Sequence, residues 1–250
     1  MAIDVQGFAG VLMVALAGWA LLRSRTEPTV ANAPSTTPTL PPRLRDAFEM
    51  PNGADAPAGA TAPVSPAEGD DEGVPALHQA AERGDLATVR ALLDAGTPVD
   101  LRAEDGATAL HYADGQADVT QWLLARGADP NAADDDGATP ILLAEDLAVV
   151  EALIAAGADP NRPDGLGQTP LHFAVDWGDA HVETLLAAGA DPNAADKTGD
   201  TPLHWASRYA SVATVEALLR GGADPHRTNR KGQRGYDVAD DDEKRRLLAV

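Results

Sequence analysis

A paired apolar dipeptide followed by a glycine-closed turn occurs five times in this chain. The instances are Leu92–Leu93 with Gly96, Leu123–Leu124 with Gly127, Leu153–Ile154 with Gly157, Leu185–Leu186 with Gly189, and Leu218–Leu219 with Gly222. The first residue of each pair falls at 92, 123, 153, 185 and 218, so the pattern advances by 31, 30, 32 and 33 residues. A period of this size marks stacked supersecondary units, none of which can bury its apolar face alone. It outweighs any shorter motif, because a stack offers an extended surface and not a closed cavity. Binding is therefore the default expectation, and chemistry would need residues of its own.

Each unit opens in the same way. Gly106-Ala-Thr108-Ala-Leu110-His111, Gly137-Ala-Thr139-Pro140-Ile141-Leu142, Gly167-Gln-Thr169-Pro170-Leu171-His172 and Gly199-Asp-Thr201-Pro202-Leu203-His204 share one register. Glycine supplies a turn, threonine caps a helix, and proline occupies the first helical turn, where its missing donor costs nothing. This Thr-Pro-Leu-His opening, with its later Leu-Leu-x-x-Gly-Ala-Asp-Pro-Asn, closely resembles the ankyrin repeat. The resemblance covers residues 73–250 and implies an all-α repeat solenoid of helix–turn–helix–hairpin units, five repeats plus a C-terminal cap. Val74-Pro75-Ala76-Leu77-His78 opens the divergent first unit, and Arg234-Gly235-Tyr236-Asp237 opens a last unit ending in the polar Lys244-Arg245-Arg246. End units need such polarity because they have no neighbour on one side.

The spacing from the first helix's apolar residue to the leucine pair is uneven. It is 15 residues in the first and fifth units (77 to 92, 203 to 218), 13 in the second (110 to 123), 12 in the third (141 to 153) and 14 in the fourth (171 to 185). The missing residues are expected in the turn between the two helices, giving shorter connections at Asp114-Gly115 and Glu145-Asp146 and a distorted middle of the stack.

Two segments precede the repeats. Ile3 to Leu22 contains an uncharged run from Gly7, and Arg23 and Arg25 follow it at once. Twenty residues span roughly 30 Å as a helix, about one hydrocarbon thickness. A secretory signal carries its positive charge before the apolar run, so residues 1–25 read as an uncleaved transmembrane anchor. A cleaved signal, with Ala15-Leu16-Ala17 as the small-residue site, and a buried segment are the alternatives. By the positive-inside rule the arginines hold the following head on the cytoplasmic side; a periplasmic or secreted head is the alternative. Residues 26–72 carry nine prolines (28, 34, 38, 41, 42, 51, 57, 63, 66) among Ala, Thr, Ser and Gly. This composition reads as a disordered, extended linker with a reach of roughly 145 Å at ~3.1 Å per residue.

The ankyrin resemblance implies partner contacts at hairpin tips and on the exposed face of the first helix. The tips carry Glu104, Asp105, Asp135, Asp136, Leu166, Gln168, Lys197, Thr198, Asp200, Arg230 and Lys231, and the helix face Glu82, Arg83, Asp176, Trp177, Arg208 and Tyr209. Trp177 and Tyr209 are the favoured anchors, since aromatic residues carry a disproportionate share of binding energy. Tyr112, Phe173 and Trp205 are read first as core packing. Residues 73–219 contain 24 acidic and 7 basic residues, a net of −17, whereas residues 220–250 contain 8 basic and 6 acidic, a net of +2. Such a field disfavours nucleic acid and suits a basic protein or peptide, or simply keeps a monomeric head soluble.

No enzyme or cofactor is expected. The chain has no cysteine, which excludes a disulfide framework and a thiol nucleophile. His78, His111, His172 and His204 share one repeat position, for which the resemblance implies hydrogen bonding between neighbouring turns; equivalent side chains in a stack lie about 10 Å apart, too far to share a metal ion. His181 and His226 fall outside this register and are expected in solvent. Asp134-Asp135-Asp136 and Asp240-Asp241-Asp242-Glu243 lack calcium-loop spacing. The expected function is a membrane-tethered adaptor or scaffold that binds a protein without turnover. The alternatives are an extracytoplasmic inhibitor or maturation partner of a secreted enzyme and, further off, a metal-dependent enzyme built on the aspartates.

Overall fold

The structure is a computed structural model and describes residues 74–249. The described residues belong to one compact unit. The anchor expected at 3–22 and the linker expected at 26–72 lie outside them. Among the described residues no helix is long and apolar enough to cross a membrane.

Twelve helices form six consecutive pairs, with no strand among the described residues. They are α1 (Ala76–Glu82) and α2 (Leu86–Asp94), α3 (Ala109–Tyr112) and α4 (Ala117–Ala125), α5 (Pro140–Leu143) and α6 (Leu147–Ala155), α7 (Pro170–Trp177) and α8 (Asp179–Ala187), α9 (Pro202–Tyr209) and α10 (Val212–Arg220), α11 (Gly235–Val238) and α12 (Asp242–Leu248). First helices stack on first helices and second on second, so one thin core runs the length of the array. The leading residue of every pair, Leu92, Leu123, Leu153, Leu185 and Leu218, is buried in that core. The turn glycines that follow adopt φ of 97, 88, 93, 92 and 92°, left-handed values that end the second helix where a side chain would clash with the backbone.

Asparagine side chains stitch the pairs together at the C-terminal end of the second helix, and backbone bonds join the turns between units. Asn131 Oδ1 accepts from the Asp159 amide at 2.7 Å while its Nδ2 donates to the Gly157 carbonyl at 3.0 Å. Asn161 does the same for Asp191 and Gly189, and Asn193 for Asp224 and Gly222. On the other side the turns between units are bonded in a row: Asp135 N to Asp105 O, Gly165 N to Asp136 O, Lys197 N to Leu166 O and Arg230 N to Thr198 O, at 2.7–3.0 Å. These bonds fix the spacing of the turn tips without any β ladder.

The shortened units depart from the sequence expectation. The residues are lost from the helix and not from the connection: α3 and α5 have four residues each, against eight in α7 and α9. Residues 113–116 and 144–146 still form full connections, because the second helix must bring its leucine to the common core. Asp114 ties the two truncated units together, its Oδ1 accepting from Glu145 N at 2.9 Å and Asp146 N at 3.1 Å. Only in the fourth unit is the connection itself minimal. Gly178, at φ 114° and ψ 174°, both ends α7 and starts α8, a conformation closed to residues with a Cβ.

The last unit is a full helix pair. Lys244, expected on a polar outer face, is 2% exposed; its Nζ bonds Asp240 Oδ1 at 2.7 Å and lies 3.4 Å from the Ser207 carbonyl of α9. A long aliphatic stem with one charge to satisfy closes the core while keeping the ammonium at its edge.

Candidate partner-binding surface

The repeat histidines show how the scaffold holds its first helices. Thr108 N donates to His111 Nδ1 at 3.0 Å, Thr169 N to His172 Nδ1 at 3.0 Å and Thr201 N to His204 Nδ1 at 3.2 Å. A backbone amide only donates, so Nδ1 is the bare nitrogen and Nε2 carries the proton. Nε2 then donates into the next repeat: to Ala138 O at 3.2 Å, Asp200 O at 3.2 Å and Gln233 O at 2.9 Å, and from His78 to Ala107 O at 3.1 Å. Burial holds His78, His111 and His172 below the ordinary histidine pKa, as this neutral role requires. The bonding expected from the resemblance is what the structure contains.

His181 is a correction. It is 9% exposed, not solvated, and its Nε2 lies 3.0 Å from Glu145 O. Glu145 lies in the connection between the truncated α5 and α6, so this contact joins α8 to the preceding unit across 36 residues of chain. The signal in sequence was the pair of deletions, not the histidine.

The face of α7 and α9 carries a continuous aromatic patch. Phe173 and Trp177, one helical turn apart on α7, stack with ring centroids 6.4 Å apart. Trp205 of α9 meets Phe173 edge-on at 6.1 Å and His172 at 5.6 Å. Trp177 in turn meets His181 at 5.8 Å. Trp177 is therefore half-buried and packed, not projecting away from the stack, whereas Tyr209 is 65% exposed with Arg208 above its ring at 5.9 Å. Phe173 and Trp205, read first as core, are half-buried members of this same patch. Tyr112 lies further along the stack, half-buried and edge-on to His78 at 5.3 Å. Asp176 is exposed on α7, and Glu82 and Arg83 are exposed at the end of α1, far along the stack.

Of the expected tip residues, Asp135, Asp136, Lys197, Arg230 and Lys231 are exposed, Leu166 is 51% exposed and Gln168 is half-buried. Lys197 Nζ reaches the Gly165 carbonyl. Asp200 is a correction: it is 8% exposed and points inward, where Asn229 Nδ2 donates to it at 2.7 Å and Arg208 pairs with it at 3.3 Å. A carboxylate following the turn glycine meets the next repeat rather than solvent, so Asp200 is spent on Asn229 and Arg208.

The aspartate runs are committed to the backbone. Asp134 Oδ1 accepts from Asp136 N at 3.0 Å and Ala138 N at 2.8 Å, closing the turn. Asp241 Oδ1 caps α12 through Glu243 N and Lys244 N, both at 2.8 Å, and Asp242 pairs with Arg245 at 3.1 Å. They diverge onto separate donors and form no shared pocket.

A stack of this kind, with an exposed aromatic and charged face and loops bonded in register, defines a protein–protein interaction module. The family model for ankyrin repeats (three copies) matches residues 58–134 and again 135–229, and the chain belongs to the ankyrin repeat family. Among curated proteins it is similar to protein phosphatase 1 regulatory subunit 27 of Mus musculus, 43% identical over 70 residues, and to that of Homo sapiens, 41% over 70 residues. Each match covers 27% of this chain and 46% of the relative, so the chain spans less than half the length of either.

Proposed function

We propose that this chain is a membrane-tethered ankyrin adaptor whose head holds a protein partner on the aromatic face of α7 and α9, without chemical turnover. The observation that carries this reading is the exposed Tyr209 beside the Phe173–Trp177–Trp205 cluster, with Asp176 and Arg208 flanking it. Half-buried rings are already ordered, so a partner gains contact area at small entropic cost. The acidic surroundings favour a basic partner segment. The tether rests on the apolar run at 3–22 and on Arg23 and Arg25, which favour a cytoplasmic head. Seventy residues is little more than two repeats, so the likeness to phosphatase regulatory subunits supports binding as the activity and does not transfer their partner.

Two measurements test the reading. The full chain should resist alkaline extraction from membranes, and in intact spheroplasts its head should be protected from added protease; digestion would place the head outside. Cross-linked partner capture should fall at least about tenfold on Tyr209→Ala, the scale of an aromatic anchor. Circular dichroism should not change, because that side chain is 65% exposed. Equal capture by the variant removes the aromatic face from the reading.

A further inference from the structure

The five turn tips form one row, tied backbone to backbone from Asp105 to Arg230, and their side chains follow an order. The first tip is acidic (Glu104-Asp105) and so is the second (Asp135-Asp136). The third presents Leu166, 51% exposed and one of two large apolar side chains so exposed among the described residues. The fourth presents Lys197 and Thr198, and the fifth Arg230-Lys231. Of the neighbouring charges, Asp196 is buried beneath its own turn, while Arg102 is exposed and donates to the Gly106 and Ala133 carbonyls at 2.6 Å.

An acidic half, an apolar centre and a basic half make a row that complements itself when reversed. We propose that the turn-tip row is a self-association surface, on which a second copy of this chain docks antiparallel about a two-fold axis at Leu166. The first tip of one protomer then faces the fifth of its partner, the second faces the fourth, and Leu166 meets its own counterpart. Parallel pairing would set like charges against like, so the order selects one orientation. The spacing of the tips, about 10 Å per stacked unit, is identical in both copies and keeps all five in register. The pairing replaces the monomeric head expected from composition. The contact is narrow, so the dimer is weak and salt-sensitive.

The chain has no cysteine, which makes a positional test direct. Leu166→Cys in the full chain, kept in a neutral detergent, should form an intermolecular disulfide on mild oxidation, because the axis brings the two Cα atoms within about 7 Å. Thr198→Cys should not link to itself but should link to Asp136→Cys when the two variants are mixed. Salt at about 1 M should suppress both cross-links severalfold. Arg230→Glu with Lys231→Glu should lower the Leu166→Cys yield at least threefold. Circular dichroism and thermal unfolding of each variant exclude misfolding. Leu166→Cys remaining monomeric, or Thr198→Cys linking to itself as readily, overturns the proposal. Association through another part of the chain gives one of those two outcomes.

Discussion

At the scale of single residues, the repeat histidines do two jobs with one neutral ring, and pH should reveal it. The folded pKa values of His78, His111 and His172 are lowered by burial, so the unfolded chain binds more protons once pH falls below the ordinary histidine value near 6.5. Stability is complete above that value and declines as pH drops below it, before most carboxylates titrate. Thermal unfolding should show a lower midpoint at pH 5.5 than at pH 7.5; a flat profile would mean that the rings accept protons in place. Asp200 tests the inward network in the same way. Asp200→Ala removes the shorter of the two bonds of the Asn229 amide, which is 6% exposed and keeps only Gln233 Oε1 at 3.4 Å, and frees Arg208. It should cost about 1–3 kcal/mol in urea unfolding, typical of a buried donor that loses its main partner. The threonine–histidine register was legible because it recurs, whereas the inward turn of Asp200 depends on a neighbour 29 residues away.

At the scale of elements, the third unit is the weak link. α5 has four residues, and Leu142 stands where four other units place the histidine that joins the next repeat. Thr139 Oγ1 is left buried without a hydrogen-bond partner, while in the first unit His78 Nδ1 is left bare because Pro75 replaces the threonine. The two ends of one motif are thus lost in different units. Amides of α5 and its connection should exchange with solvent faster than those of α7 and α9, since local opening there breaks fewer bonds. Leu142→His should restore a partner for Thr139 and reach the Gln168 carbonyl, slowing that exchange and adding up to about 1 kcal/mol in urea unfolding. Unchanged exchange in the variant would show that helix length, not the missing bond, sets the weakness. The deletions were visible as uneven spacing; which segment shortened was not, because the core fixes where the second helix must lie.

At the scale of the whole molecule, stability passes from unit to neighbour and depends on the ends being covered. α11 and α12 cover Leu203, Ser207 and Leu218, all buried, and Lys244 seals the far side. Ending the chain at residue 234 should uncover that apolar surface. Sedimentation should then show aggregation, and unfolding should broaden, as an uncapped array frays. Lys244→Ala, which leaves Asp240 without its partner and a gap beneath α12, should lower the unfolding midpoint without that aggregation. A soluble, sharply unfolding truncation would mean that five pairs suffice.

By itself the sequence determined the period and the turn glycines, because each is a local rule written several times over, and the ankyrin resemblance it carries implied the helix pairs and the histidine bonds. The tertiary structure decided what appears once or lies between units. It buried Asp200, His181 and Lys244, half-buried Trp177, joined Phe173 and Trp205 into one patch, and lined the turn tips into a single charged row. Those outcomes depend on contacts across about 30 residues of chain, set by how one repeat seats on the next, and no spacing within a repeat records them.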